Sequence, residues 1–193
     1  MKIAIIDYGA GNIQSIQFAI ERLGCRAKLT NNIEEIQNAD KVIFPGVGQA
    51  STAMNKLKNS GLIETIKNLK QPVLGICLGM QLMCKSTEEG NASGLGIFDV
   101  EVVRFSNLVK VPQVGWNNIF DLKSNLFTEI SDNEFMYMVH SYYAPICPDA
   151  IATSKYHVEY SSALKKNNFY GVQFHPEKSG IVGEKILANF LLL

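Results

Sequence analysis

Three short apolar runs, Ile3–Ile6, Val42–Phe44 and Pro72–Leu74, restrict this chain more than anything else in its first half. A strand with one wet face alternates apolar and polar residues, so unbroken runs imply strands covered on both faces. The segments between them carry helical spacing. Ile13, Ile16, Ile20 and Leu23 recur at that period, with Asn12 placed to cap the helix start and Gly24 to stop it. A strand over Cys25–Leu29 leads to a short helix at 32–38; another helical stretch carries Met54 and Leu57, and a further one runs from Gly61 to about Leu69. Strands alternating with helices argue for a parallel sheet with right-handed crossovers, whose sites form beyond the carboxyl ends of the strands. After about residue 95 the texture changes to β-branched and aromatic segments at 97–104, 111–120, 135–140, 150–160 and 169–174. The spacing predicts a smaller antiparallel extension there, then a closing helix over 180–193 with Val182, Ile186 and Phe190 as its apolar stripe. The expected fold is therefore α/β, a mostly parallel central sheet with flanking helices, in a single domain spanning 1–193.

Charge narrows the partners. The 18 basic residues balance 18 acidic ones with no like-charge block, which gives no electrostatic footprint for nucleic acid or an anionic membrane. The four cysteines, at 25, 77, 84 and 147, have neither disulfide-framework nor zinc-site spacing, so no metal is expected and a reducing compartment is. The amino terminus reaches Asp7 after too few apolar residues for a signal peptide, and no run approaches the ~20 needed to span a bilayer. A cytoplasmic location is the expectation.

Gly75-Ile76-Cys77-Leu78-Gly79 follows one apolar run and precedes the helix-prone Met80–Cys84. Read as strand, sharp turn and helix, it is the thiol form of a nucleophile elbow, with glycines where flanking side chains would not fit. A helix starting at the sulfur favours thiolate over thiol. The other reading is a small residue packed in a glycine-rich turn. A free thiol is only a few per cent ionised at neutral pH, so a nucleophile needs a base. His157 sits in an alternating polar run that reads as an exposed strand, and His140 lies where a strand ends. His175 precedes Pro176 and Glu177, and the residue before proline is driven to extended angles. In an extended chain Glu177 lies on the same side as His175 and can orient its ring and stabilise its cation, the third role in a nucleophile–base–orienter set. The backbone N–H of Leu78 and the glycine-rich Pro45-Gly46-Val47-Gly48 are placed to receive a developing oxyanion. These residues point to acyl transfer through a thioester and name no substrate.

Gly75-Ile76-Cys77-Leu78-Gly79-Met80-Gln81 and Gln173-Phe174-His175-Pro176-Glu177 resemble the two signature blocks of class I (triad) glutamine amidotransferases. Asp7–Asn12, Phe44–Gly48, Val114–Asn117, Val139–Tyr142 and Glu177–Gly180 resemble, in order, the glutaminase subunits of imidazole glycerol phosphate synthases within that family. The resemblance implies a flavodoxin-like glutamine amidotransferase fold and hydrolysis of glutamine to glutamate and ammonia without a cofactor. It implies Cys77 as nucleophile, His175 as base and then acid, and Glu177 as orienter. Val47, Gly48 and Leu78 would form the oxyanion site, and Gly46, Gln81, Ser141 and Tyr142 would line the glutamine pocket. Asn12, Trp116, Tyr137 and Lys178 would face a (β/α)8-barrel synthase subunit that consumes the ammonia in histidine biosynthesis. The chain departs from the family pattern at Gln113 and Val114, where a histidine and a methionine are usual. The same chemistry feeding a related synthase, such as one amidating nucleotide-linked sugars, is the alternative, and a non-enzymatic α/β binding module a remote one.

Overall fold

The computed structural model describes residues 1–9 and 13–193, so the cap expected at Asn12 lies outside the described residues. The first part of the chain forms β1 (Ile3–Ile6), α1 (Ile13–Arg22), β2 (Ala27–Thr30), α2 (Ile33–Gln37), β3 (Lys41–Phe44), α3 (Ala50–Asn59), α4 (Ile63–Lys67), β4 (Val73–Ile76) and α5 (Leu78–Met83). The remainder forms β5 (Cys84–Thr87), β6 (Ala92–Ser93), β7 (Phe98–Arg104), β8 (Gln113–Ile119), β9 (Glu134–His140), β10 (Tyr142–Pro145), β11 (Ala150–Tyr156), β12 (Val158–Lys166), β13 (Phe169–Val172) and α6 (Gly180–Leu192). Strands β2, β1, β3, β4 and β13 lie side by side in parallel.

The apolar runs are explained by two cores, one on each face of this sheet. Ala4, Ile6, Val42, Phe44 and Val73 pack beneath helices α2 to α5, while Ile3, Ile5, Ile43, Leu74 and Ile76 pack beneath α1 and α6. Alternate residues of each run thus serve opposite layers, so no position is free to be polar. Helix α1 stops as the sequence predicts: Gly24 has φ +74° and donates its N–H to the Glu21 carbonyl, and the Cys25 N–H reaches the Ile20 carbonyl.

The antiparallel extension expected after about residue 95 continues the central sheet. β12, antiparallel to β13, carries β10, β7, β5 and β6 onward in the same sheet, with β11 also paired to β12. Among the described residues only β8 and β9 form a sheet of their own. The expected segment at 150–160 is two strands, because His157 takes φ +66° and reverses the chain between Tyr156 and Val158. His157 is therefore a turn residue and not part of an exposed strand. Helix α5 ends within one residue of the stretch the sequence predicts, and a strand that the sequence did not predict follows at once. The N–H groups of Leu95, Ile97 and Gly96 take the carbonyls of Leu82, Met83 and Cys84, which ends the helix and starts β5. Six residues give only a fraction of a full helix dipole at Cys77. Among the described residues no helix is long and apolar enough to cross a membrane.

Candidate active site

Cys77 stands between β4 and α5 with φ +53° and ψ −110°, backbone angles that a non-glycine residue adopts only under strain. Three contacts hold it there. Its N–H donates to the Val172 carbonyl at 2.8 Å, its carbonyl accepts from the Gln81 N–H at 3.2 Å, and the glycines on either side admit the packing that closes the elbow. Gly75 and Gly171 are register partners on adjacent strands, and together they form the recess that receives Met80 and Met83 of α5. A Cβ on Gly79 would overlap the Phe44 carbonyl oxygen, and one on Gly46 would lie 2.6 Å from the Gly79 nitrogen. Neither Gly75 nor Gly79 has a positive φ, so both are required by close approach, and the unusual backbone angle falls on the cysteine itself.

His175 and Glu177 meet this sulfur from β13. His175 has the extended angles that the sequence predicts, but the chain then turns through a single 3-10 turn at Pro176–Lys178 in place of the extended segment expected up to Glu177. His175 Nδ1 lies 2.8 Å from Glu177 Oε1, with both side chains almost wholly buried. The backbone of the histidine is clamped at both ends. Its N–H donates to the Tyr137 carbonyl at 3.0 Å, and its carbonyl accepts from Ser179 Oγ at 2.6 Å and from the Lys178 N–H at 3.0 Å. Tyr137 in turn donates its N–H to Ser179 Oγ. Burial alone would depress the His175 imidazole, but hydrogen bonding and charge from Cys77 and Glu177 outweigh it and raise the group to about 10. The ring is thus set to hold a proton beside the sulfur. Cys84 contrasts with it: burial pushes that thiol well above the usual range, so it is inert.

A cleft of about 330 Å³ opens over the cysteine, lined by Val47, Gly48, Leu78, Gln81, Ser141, Tyr142, His175 and Lys178 among others. Gly46 does not line it. It packs under Gly79 and Leu78, so its role is to let the Pro45–Gly48 loop approach α5. Tyr8 fixes that loop by donating its hydroxyl to the Pro45 carbonyl at 2.9 Å. The cleft also holds Glu89, which the sequence reading missed: its Oε2 accepts the Ala50 N–H at 2.8 Å, and burial raises its carboxyl above the usual range. No motif surrounds it, and only the contact between the segment after β5 and the start of α3 brings it to the cleft. A larger groove of about 540 Å³, beside β2, is lined by Lys2, Arg26, Lys28, Glu34 and Glu35 and contains neither cysteine nor histidine. Among the described residues no cluster of histidine, cysteine and carboxylate side chains is able to hold a metal.

The β8–β9 pair sits at the mouth of the cleft. Its register sets Trp116 opposite Tyr137 and Val114 opposite Val139, and the ring of Trp116 meets that of Tyr137 edge-on with centroids 6.2 Å apart. Lys178 Nζ lies 5.9 Å from the centre of the Tyr137 ring. Val114, Trp116 and Phe135 are each more than half exposed, so this face is an apolar surface in water. The opposite face of the pair is buried and includes Gln113, Met136, Met138 and His140. Gln113 therefore points inward, accepting from the Tyr160 hydroxyl at 3.2 Å, and of the two departures from the family pattern only Val114 reaches the surface.

His140 lines the cleft but is held for structure. Its Nδ1–H donates to the Tyr142 carbonyl at 2.8 Å, and burial, aided slightly by His175, lowers the ring to about 4 against the pull of that hydrogen bond. Between the ordinary value of 6.5 and about 4, the unfolded chain takes up a proton that the folded chain refuses. Stability therefore falls as pH falls through this window, by up to about 3 kcal/mol. His175 is protonated in both states there and adds no slope; its contribution declines instead as pH rises from 6.5 toward 10. Denaturant unfolding at stepped pH should show the acid-side loss, and His140→Gln, which keeps a donor but does not titrate, should flatten it.

Comparison with known proteins gives this geometry a family. Residues 4–193 match the family model described as glutamine amidotransferase class-I. The chain is 55% identical to the imidazole glycerol phosphate synthase subunit HisH of Bacteroides thetaiotaomicron over 99% of both chains. It is 47% identical to the protein of that name from Haemophilus influenzae, covering 99% of this chain and 97% of the relative. Among solved structures it superposes on PurLQS from Thermotoga maritima with a TM-score of 0.76 at 15% identity, covering 99% and 97% of the two chains. That likeness concerns the fold alone. Joined by a matching model across nearly its whole length to relatives of about half-identical sequence, this chain belongs to the class-I glutamine amidotransferase family.

Proposed function

We propose that this chain is the glutaminase subunit of an imidazole glycerol phosphate synthase, acting in histidine biosynthesis in the cytoplasm. The observation that carries the chemistry is the buried His175–Glu177 pair at 2.8 Å set against Cys77 in one cleft. His175 takes the thiol proton, and the Cys77 thiolate attacks the carboxamide carbon of glutamine, forming a C–S bond and an oxyanion. Leu78, at the first position of α5, has an N–H with no partner inside the helix, and Val47 and Gly48 line the same cleft, so we assign the negative charge to the backbone groups of these three residues. His175 then gives its proton to the departing nitrogen, ammonia leaves, and a thioester remains. Water, deprotonated by His175, attacks the thioester and releases glutamate, returning the proton to sulfur. Glu177 holds the ring and stabilises its cation throughout.

Gln81, Ser141 and Tyr142 bound the substrate pocket, and Glu89 supplies the negative charge that suits the α-ammonium of an amino acid. Ammonia is mostly protonated in neutral water, so its use requires an acceptor close at hand. The apolar face of Val114, Trp116, Phe135 and Tyr137 beside the cleft is the surface on which we place a (β/α)8-barrel synthase subunit, with Lys178 at its edge. Asn12 belongs to the same reading by sequence alone. A glutamine-mimicking electrophile tests the chemistry. It should label Cys77 far faster than the half-buried Cys25 and Cys147, with Cys84 silent; equal labelling of Cys77 and Cys25 would sink the enzyme reading.

A further inference from the structure

We infer that the side-chain amide of Gln173, locked in orientation by Gln81, donates a hydrogen bond to the Cys77 sulfur and stabilises the thiolate on which the proposed glutaminase reaction depends. The orientation follows from an acceptor that has no choice. The Tyr142 carbonyl lies 2.9 Å from the terminal amide of Gln81, and a backbone carbonyl only accepts, so the atom facing it is Nε2. The same Nε2 lies 2.9 Å from the Gln173 amide, and its second hydrogen requires an acceptor there, which makes the facing atom Gln173 Oε1. Gln173 Nε2 is then turned toward Cys77 Sγ, 3.7 Å away. The network leaves neither amide free to flip, because a flip of either would set two donors or two acceptors against each other in the dry interior.

Burial strengthens the case. Gln173 is completely inaccessible, immediately beyond β13, and its backbone N–H is fixed to the Ser162 carbonyl at 2.9 Å. An amide buried this deeply needs partners, and the sulfur is the partner of its nitrogen. Among the described residues the sulfur also meets the His175 ring and, at 3.9 Å, the Val139 carbonyl, which accepts an S–H but opposes a thiolate. When the proton passes from Sγ to His175, Gln173 is therefore the neutral donor that remains. The titratable groups around the sulfur are Tyr8 beyond β1, His140 on β9, Glu89 beyond β5, and His175, Glu177 and Lys178 beyond β13. Of these His175 and Lys178 favour negative sulfur; Gln173 adds to them without titrating.

The test reads the sulfur directly and needs neither glutamine nor a partner. The full chain, Gln173→Leu and the isosteric Gln173→Glu are alkylated with iodoacetamide across a pH series, and modification of each cysteine is read by peptide mass spectrometry. The pH midpoint for Cys77 should rise by about one unit in Gln173→Leu and further in Gln173→Glu, which sets an acceptor against the sulfur. Below that midpoint alkylation should slow about tenfold, with the alkaline plateau unchanged. Buried Cys84 reports on folding: where it stays protected the chain is intact, and where Gln173→Leu exposes it, Gln173→Glu alone decides. Superimposable profiles with Cys84 protected overturn the role of Gln173 and leave Cys77 as nucleophile. A Cys77 that reacts no faster than Cys25 in the unaltered chain overturns the glutaminase reading instead.

Discussion

Cys77→Ala should abolish glutamate release, by a factor on the order of 10⁴ or more, in the chain assayed with its synthase partner. No other sulfur replaces it: Cys84 is buried at the opposite end of α5, and Cys25 and Cys147 lie outside the cleft. His175→Ala should be nearly as damaging, because nucleophile and base act as a unit and removal of either strands the other. Glu177→Gln should be milder, retaining roughly 10- to 100-fold more activity than His175→Ala. A glutamine at 177 still offers a carbonyl oxygen to the Nδ1–H of His175, so tautomer and ring orientation survive while the stabilising charge is lost. That charge is costly to keep, since Glu177 is buried and its Oε2 has no hydrogen-bond partner among the described residues. Near-full activity in Cys77→Ala, or a Glu177→Gln variant as inactive as His175→Ala, would contradict this assignment of roles.

What the sequence could and could not disclose divides along physical lines. β1, β3 and β4 were legible because each needs an apolar residue at every position to face two cores, a demand written locally. The elbow at Cys77 was legible for a related reason, as Gly75 and Gly79 are required by contacts within a few residues of the cysteine and by the neighbouring strand end at Phe44. The turn at His157 was not, because a histidine with positive φ carries no glycine, proline or asparagine to announce it. The immediate passage from α5 into β5 depends on carbonyls taken by residues 95–97, more than ten positions downstream, and leaves no mark near Met83. The position of Gln173 against the sulfur depends on β13 entering the sheet beside β4, a pairing of segments nearly 100 residues apart. Glu89 and the clamp on His175 from Tyr137 and Ser179 were hidden for the same reason. Local sterics write themselves into a sequence, whereas long-range pairing writes only the residues that happen to recur.

Addition of the proposed barrel synthase with its own substrate bound should raise glutamate release from this chain on the order of tenfold or more, and Trp116→Ala should weaken that complex roughly 30-fold. The second effect corresponds to about 2 kcal/mol, the cost typical of truncating a large aromatic residue at the centre of an interface. Trp116 is suited to that position because its ring is more than half exposed yet braced edge-on by Tyr137, so it is presented to a partner with little freedom left to lose. Its coupling to the cleft is short and mechanical. Tyr137 lies on the same strand as Val139, whose carbonyl is 3.9 Å from the Cys77 sulfur, and the Tyr137 carbonyl holds the N–H of His175. A partner that presses on Trp116 therefore acts on a strand touching both nucleophile and base. Isothermal titration reads the affinity, and glutamate release under saturating partner reads the activation. If Trp116→Ala binds as tightly as the unaltered chain, the docking face lies elsewhere. If the unaltered chain binds the histidine-pathway synthase but shows no rise in activity, or fails to bind it, the related reading gains ground, in which the same cleft feeds ammonia to a different synthase. Val114, the one departure from the family pattern that reaches this surface, is then the residue whose replacement by methionine should restore binding.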